Sequence, residues 1–158
     1  MDEISPVAAA FGKIPSGLFI ITACEGTRKE GYLGSWVQQV SFSPLLLSIA
    51  IRPSRPCYDL IHATKRFCVN VIGQNNGGAM KPFWSPKADA DPFASLEWSA
   101  NTRGNIVIKN AVATLDCEFR SAASPGDHEI IFAEAVGGLV IQAEDKPLTH
   151  VRKSGLGY

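Results

Sequence analysis

Fifteen basic and fifteen acidic side chains cancel in a chain of 158 residues, so no net field gathers nucleic acid or an anionic membrane surface around it. The length suits one domain, 1–158, built on a single core. The longest apolar run, Leu45–Ile51, falls far short of the roughly 18 residues a spanning helix needs, and acidic Asp2 and Glu3 stand where a secretory leader carries basic residues. A cytoplasmic protein without membrane or nucleic-acid partners is the expectation.

Pro6 to Ile14 has the alanines and the apolar Phe11 for a short helix, stopped by Pro15 and lying over one end of a barrel. Leu18–Cys24 reads as a buried strand, and the polar, Gly-bounded segment Glu25–Gly31 as the loop of a first hairpin. Gly31 to Pro44 is unusual for a strand: small residues, a tryptophan, two amides and hydroxyls stand together, as suits backbone that a planar ligand approaches closely. Leu45–Ile51 lacks polar alternation and is expected to be a central strand covered on both faces.

A helix over Cys57–Ala63 follows, with Ser54 as N-cap and Pro56 in the first turn, and then a strand over Phe67–Ile72. Residues 73–105, rich in Gly, Pro, Asn and Ser with isolated aromatics, read as a flap with short helical turns. Ala111–Arg120 alternates, placing Ala113, Leu115, Cys117 and Phe119 on one face and Thr114, Asp116, Glu118 and Arg120 on the solvent face. Ser124–Asp127 is a turn, His128–Val136 a strand broken by Gly137-Gly138, and Pro147–Tyr158 a basic tail without pattern. About six strands in hairpin order with short peripheral helices predict a mainly β protein, an antiparallel β-barrel.

No Gly-rich dinucleotide or P-loop signature is present, nor a serine elbow, a paired-carboxylate couple or an H-x-x-x-H pair. Cys24, Cys57, Cys68 and Cys117 lack metal spacing and read as buried free thiols. Arg52, Ser54 and Arg55 at a helix start offer an anion site, or equally an ordinary capped helix with solvated arginines. His128 follows Gly126-Asp127 at a strand start and is expected to project from the barrel rim. It has the chemistry to contact a nicotinamide or donate a proton, with a plain turn residue as the alternative. His62 and His150 are weaker candidates.

Taken in order, several motifs resemble the flavin-reductase-like family of FMN-binding split barrels: Ile14-Pro15-Ser16-Gly17 before a Phe-Ile-Ile-Thr strand, Gly31–Pro44, Phe67–Val71 and Gly126-Asp127-His128. Ser35–Phe42, Met80-Lys81-Pro82-Phe83, Leu96-Glu97 and Thr149-His150-Val151-Arg152-Lys153 look like the domain at the C-terminus of cyanobacterial flavodiiron proteins. The resemblance implies an antiparallel split barrel, a homodimer holding FMN, and hydride transfer from NADH or NADPH to the flavin. It places Leu33, Gly34, Ser35 and Trp36 against the flavin with Gln38, Gln39 and Ser41 nearby. Ile51, Arg52 and Arg55 would reach its ring edge and phosphate, and catalytic His128 would face the nicotinamide. No metal is implied. Many standalone reductases of the family carry a small hydroxyl or amide residue in place of Trp36, so backbone contact or indole stacking would replace that hydrogen bond. An electron-transfer module reduced by a redox partner protein, with little NAD(P)H activity, is the alternative; an apo barrel that only dimerises is a third.

Overall fold

The computed structural model describes residues 4–84 and 90–157. Its elements are α1 (Pro6–Phe11), β1 (Ser16–Gly17), β2 (Phe19–Glu25), β3 (Arg28–Gly34), β4 (Val37–Phe42), β5 (Leu45–Ile51), α2 (Pro56–Thr64) and β6 (Arg66–Val71). A 3₁₀ segment (Gln74–Met80), α3 (Lys81–Trp84), β7 (Trp98–Ala100), β8 (Ile106–Ile108), β9 (Ala113–Ala123), β10 (Glu129–Val140) and β11 (Thr149–His150) complete the chain. Seven strands form one antiparallel sheet in the order β3-β2-β6-β9-β10-β5-β4.

The first and last strands of that sheet, β3 and β4, are consecutive in sequence and separated only by Ser35 and Trp36. Three Cα steps reach at most about 11 Å, so the sheet has to curl until its edges meet. The Tyr32 hydroxyl donates to the Ala50 carbonyl at 3.3 Å, and the Ala50 amide to the Trp36 carbonyl at 3.1 Å. The first bond ties edge strand β3 to β5 across the closure and the second extends the β4–β5 ladder into the link, giving the expected split barrel.

Both faces of β2 are covered, which is why its sequence is apolar on both sides of the strand apart from Thr22 and the terminal Glu25. Ile21 and Ala23 join Ile49, Ile51, Phe67, Val69 and Ile131 in the interior, where α2 buries Cys57, Leu60 and Ile61. Ile20 points the other way, into a second cluster with Phe83, Phe93, Ile106 and Ile108 from the 73–112 segment. Polar groups dock that segment. Fully buried Asn70 donates to the Ile20 carbonyl at 3.0 Å and accepts from the Ile108 amide at 2.8 Å, while the Thr22 hydroxyl donates to the Ile106 carbonyl at 2.7 Å.

Several local expectations are corrected. α1 ends at Phe11, before Gly12 and not at Pro15, because the C-terminal backbone abuts there: a Cβ on Gly12 would lie 2.8 Å from the Arg152 carbonyl. Arg28–Glu30 belongs to β3; the hairpin turn is only Gly26-Thr27, with Gly26 at φ +57°. β5 lies next to the edge rather than at the centre, and Leu45 at its start is 54% exposed. The N-cap of α2 is Arg55, without a side-chain cap bond, because Pro56 occupies the first helical position and shifts the start past Ser54.

The supposed solvent face of β9 is covered in its first half, while Arg120 is exposed as expected. Thr114 is buried, and one Asp116 carboxylate oxygen accepts from the Asn101 and Asn105 side-chain amides at 2.7 and 2.8 Å. β10 runs on through Gly137-Gly138, with a register shift between Ala135 and Gly137 absorbing the irregularity. The tail is patterned after all, since β11 pairs with β1. Part of the expected flap, 85–89, lies outside the described residues. Cys57, Cys68 and Cys117 are buried and Cys24 is half-buried; burial pushes all four thiols up, which leaves little nucleophilic thiolate.

Asn70→Leu deletes the hydrogen bonds of the carboxamide and strands the Ile108 amide. It is expected to lower stability by about 1–3 kcal/mol, read as a lower urea midpoint at unchanged slope. An unchanged midpoint would mean that the Asn70 carboxamide adds nothing net to the docking of the 73–112 segment.

Candidate functional site

Ser35 and Trp36 leave the barrel wall at the point where its edges meet, and two clefts open beside them. The larger, about 730 Å³, is lined by Ser35, Trp36, Val37 and Gln38, by Ser48, Ile49 and Ala50 of β5, and by Phe11–Gly17 and Pro147–Arg152 residues from the two ends of the chain. Its volume lies within the roughly 300–1,000 Å³ of small-molecule sites. The smaller, about 120 Å³, is lined by Leu33, Gly34, Ser35, Arg55, Met80, Phe83, Trp84 and His150.

Ser35 touches both clefts. It is 4% exposed, and its Oγ is buried with no hydrogen-bond partner among the described residues. Such an orphaned hydroxyl costs about 1–3 kcal/mol unless something polar arrives. A ligand carrying acceptors or donors at this junction would supply the missing partner.

A relay of side chains stands behind Trp36. The Arg52 guanidinium lies 3.1 Å from Asp127 Oδ2, Asp127 Oδ1 lies 2.8 Å from His128 Nδ1, and the His128 and Trp36 ring centroids are 4.9 Å apart. The hydrogen bond to His128 holds the Asp127 carboxyl below its usual range, with Arg52 contributing in the same direction. Asp127 is therefore an acceptor at neutral pH, and the Nδ1–H of His128 donates to it. The Arg152 guanidinium also contacts Trp36, 5.0 Å from the ring centroid.

The residues expected at the site separate into groups. Leu33, Gly34, Ser35 and Arg55 line the small cleft, and Ser35, Trp36 and Gln38 the large one. Gln39 and Ser41 lie farther along β4, the Gln39 amide donating to the Ser41 carbonyl at 3.1 Å. Ile51 is 1% exposed and packs in the interior, because it ends β5 pointing inward. Arg52 is engaged by Asp127 instead of facing a cleft. His128 does not project from the rim: it is 7% exposed, drawn in by Trp36 and Asp127.

The glycines of the Gly31–Pro44 stretch make room for the protein itself. A Cβ on Gly31 would meet Phe83 at 2.8 Å and Phe93 at 3.2 Å, and one on Gly34 would meet Ile21 at 2.7 Å. Sequence reasoning missed Arg152, which reaches the large cleft only because β11 pairs with β1, and a two-residue strand leaves no period to read. It also missed Glu129, whose Oε1 lies 2.6 Å from His62 Nε2 and whose Oε2 accepts from the Tyr58 hydroxyl at 3.2 Å. Those bonds fasten α2 to β10. No group of three or more His, Cys, Asp or Glu among the described residues could hold a metal ion.

Residues 11–155 match the family model described as flavin reductase like domain. Diflavin flavoprotein A 1 of Synechocystis sp. (strain PCC 6803) is 32% identical over 156 residues, 98% of this chain but 27% of that protein. The chain thus spans about a quarter of the length of the curated relatives it matches. Among solved structures, nitrilotriacetate monooxygenase component B from Mycobacterium thermoresistibile superposes with a TM-score of 0.84 at 25% identity, covering 92% of this chain and 80% of that one. Streptomyces globisporus NADH:FAD oxidoreductase SgcE6 shares the fold, with a TM-score of 0.84 at 23% identity over 96% of this chain and 93% of that one. With the barrel, the cleft and the motif order in agreement, the chain belongs to the flavin reductase like domain family, and within it matches the flavin-reductase-like domain of flavodiiron proteins.

Proposed function

We propose that this domain is an NAD(P)H-dependent flavin reductase that binds FMN across the Ser35 junction. The observation that carries the reading is the buried, unpartnered Ser35 Oγ between a cleft of ligand size and a smaller one holding Arg55. The residues fit the cofactor. Ser35 offers a hydroxyl for a heteroatom of the ring system, Leu33 and Gly34 offer backbone and apolar surface, and half-buried Arg55 at the start of α2 offers a cation for the phosphate. Flavin, when bound, supplies the hydride and electron chemistry.

The protein's own part is positioning. Asp127 fixes the His128 ring through Nδ1, and His128 in turn supports the Trp36 indole that walls the large cleft. The cleft's apolar lining, including Ile14, Pro15 and Ile49, keeps water from a bound nicotinamide. The proposal includes a homodimer: the exposed edge strand β4 and its hairpin tip present Val40, Phe42 and Leu45 at 47, 88 and 54% exposure. No helix among the described residues is long and apolar enough to cross a membrane, and a cytoplasmic setting belongs to the same proposal.

A second reading, an FMN module reduced by a redox partner protein, is favoured by one fact: this domain corresponds to 27% of its relatives' length. The two readings separate in a single assay. Flavin-loaded protein is expected to oxidise NADH or NADPH in the presence of FMN; a yellow protein that oxidises neither nucleotide points to the carrier module, and one with no flavin affinity ends both.

His128→Ala is expected to lower nucleotide turnover by on the order of tenfold with FMN still bound, and unchanged kinetics would leave His128 as a packing residue. Arg55→Ala is expected to weaken FMN by about 1–3 kcal/mol through loss of a charge-assisted phosphate contact. Equal FMN affinity in a fluorescence titration would place the phosphate elsewhere.

A further inference from the structure

Among the chain's seven arginines, Arg28, Arg52, Arg103 and Arg120 pair with carboxylates, and Arg66 donates to the Arg103 carbonyl. The guanidinium groups of Arg55 and Arg152 have neither kind of partner among the described residues. Each of these two lines one of the clefts that meet at Ser35. A half-buried guanidinium has five donors to satisfy, and contact with the Trp36 face orients Arg152 without using any of them.

The large cleft suits an anion. No carboxylate lines it, and its other polar side chains are the hydroxyls of Ser16, Ser35, Ser48 and Thr149 and the amide of Gln38. Arg152 is also held in place by backbone. Ser16 pairs with His150, Gly17 with Thr149, and the Arg152 amide donates to the Gly12 carbonyl at 3.1 Å. The cation is thus presented by a strap whose anchoring does not involve its side chain.

We propose that Arg152 is a binding residue for a nucleotide phosphoester in the large cleft. The identity of the nucleotide rests on the flavin-reductase reading; the anion site rests on the cleft. A planar guanidinium beside hydroxyl donors matches a phosphate or pyrophosphate, which either FMN or the nicotinamide donor carries.

The test is calorimetric titration of the whole chain, wild type against Arg152→Ala and Arg152→Lys, with FMN, with riboflavin as the same ring without phosphate, and with ADP-ribose as a pyrophosphate without nicotinamide. Arg152→Ala is expected to weaken FMN or ADP-ribose by roughly 10- to 100-fold, to leave riboflavin unchanged and to flatten the salt dependence, with Arg152→Lys restoring part of the affinity. Loss confined to FMN gives the single flavin phosphate to Arg152 rather than to Arg55 alone, and loss on ADP-ribose assigns the site to the donor nucleotide. Unchanged affinity for both phosphate-bearing probes overturns the proposal, as does equal weakening of riboflavin and FMN, which would mean that Arg152 acts only by packing Trp36. Arg152→Gln, which keeps much of the stem, decides the matter should the alanine variant lose the strap. A wild type that takes ADP-ribose through Arg152 but neither flavin sinks the flavin-reductase reading and keeps the anion site; no binding of any probe sinks both.

Discussion

Two residues span the gap between the first and last strands of a seven-stranded sheet, and the geometry of the domain follows from that short link. A tether of three Cα steps cannot cross an open sheet of this width, where neighbouring strands lie about 4.8 Å apart, so curvature is forced by connectivity. Closure stops short of full strand pairing. The seam carries the Tyr32–Ala50 bond, and beside it Ser35 is buried while Trp36 stands partly exposed. The place where the barrel fails to zip is also where its clefts open.

The rest of the chain keeps that seam in shape from two sides. Inside, α2 sinks Leu60 and Ile61 among strand residues and is fastened to β10 by Glu129, immediately after His128. Outside, the 73–112 segment packs Phe83 and Phe93 where Gly31 lacks a side chain, and Asn70 and Thr22 lock it by hydrogen bonds through the wall. A buried polar group that meets its partners specifies one docking position, whereas apolar contact alone tolerates sliding. The small cleft is bounded by Leu33 on one side and by Met80 and Phe83 on the other, so its shape depends on that docking.

Strands with a plain apolar run were the legible part of the fold: β2, β5 and β6 could be placed within a residue or two because burial on one or both faces leaves its mark in composition. Thr114 and Asp116 misled because their part of a face that reads as solvent-exposed is covered, and Asp116 is met there by the Asn101 and Asn105 amides rather than by water. Of the site, Ser35, Trp36 and Arg55 were visible as odd residues beside regular ones. His128 could be picked out, but not its burial, since that depends on Asp127 and Trp36 together. Arg152 was beyond reach because its position depends on two paired residues of β1, more than a hundred positions earlier in the chain.

Segments outside a domain's main sheet are ordinarily the ones it can best afford to lose. Here the stretch from Pro147 to Arg152 forms one bank of the large cleft, Phe11 to Gly17 forms the facing part, and the Gly155 amide bonds the Ala8 carbonyl at 2.6 Å. Trimming either segment would remove part of the binding wall while sparing every strand of the main sheet. The wall of the cleft and the strands of the barrel are thus separate stretches of sequence, so an intact main sheet is no sign that the cleft is intact.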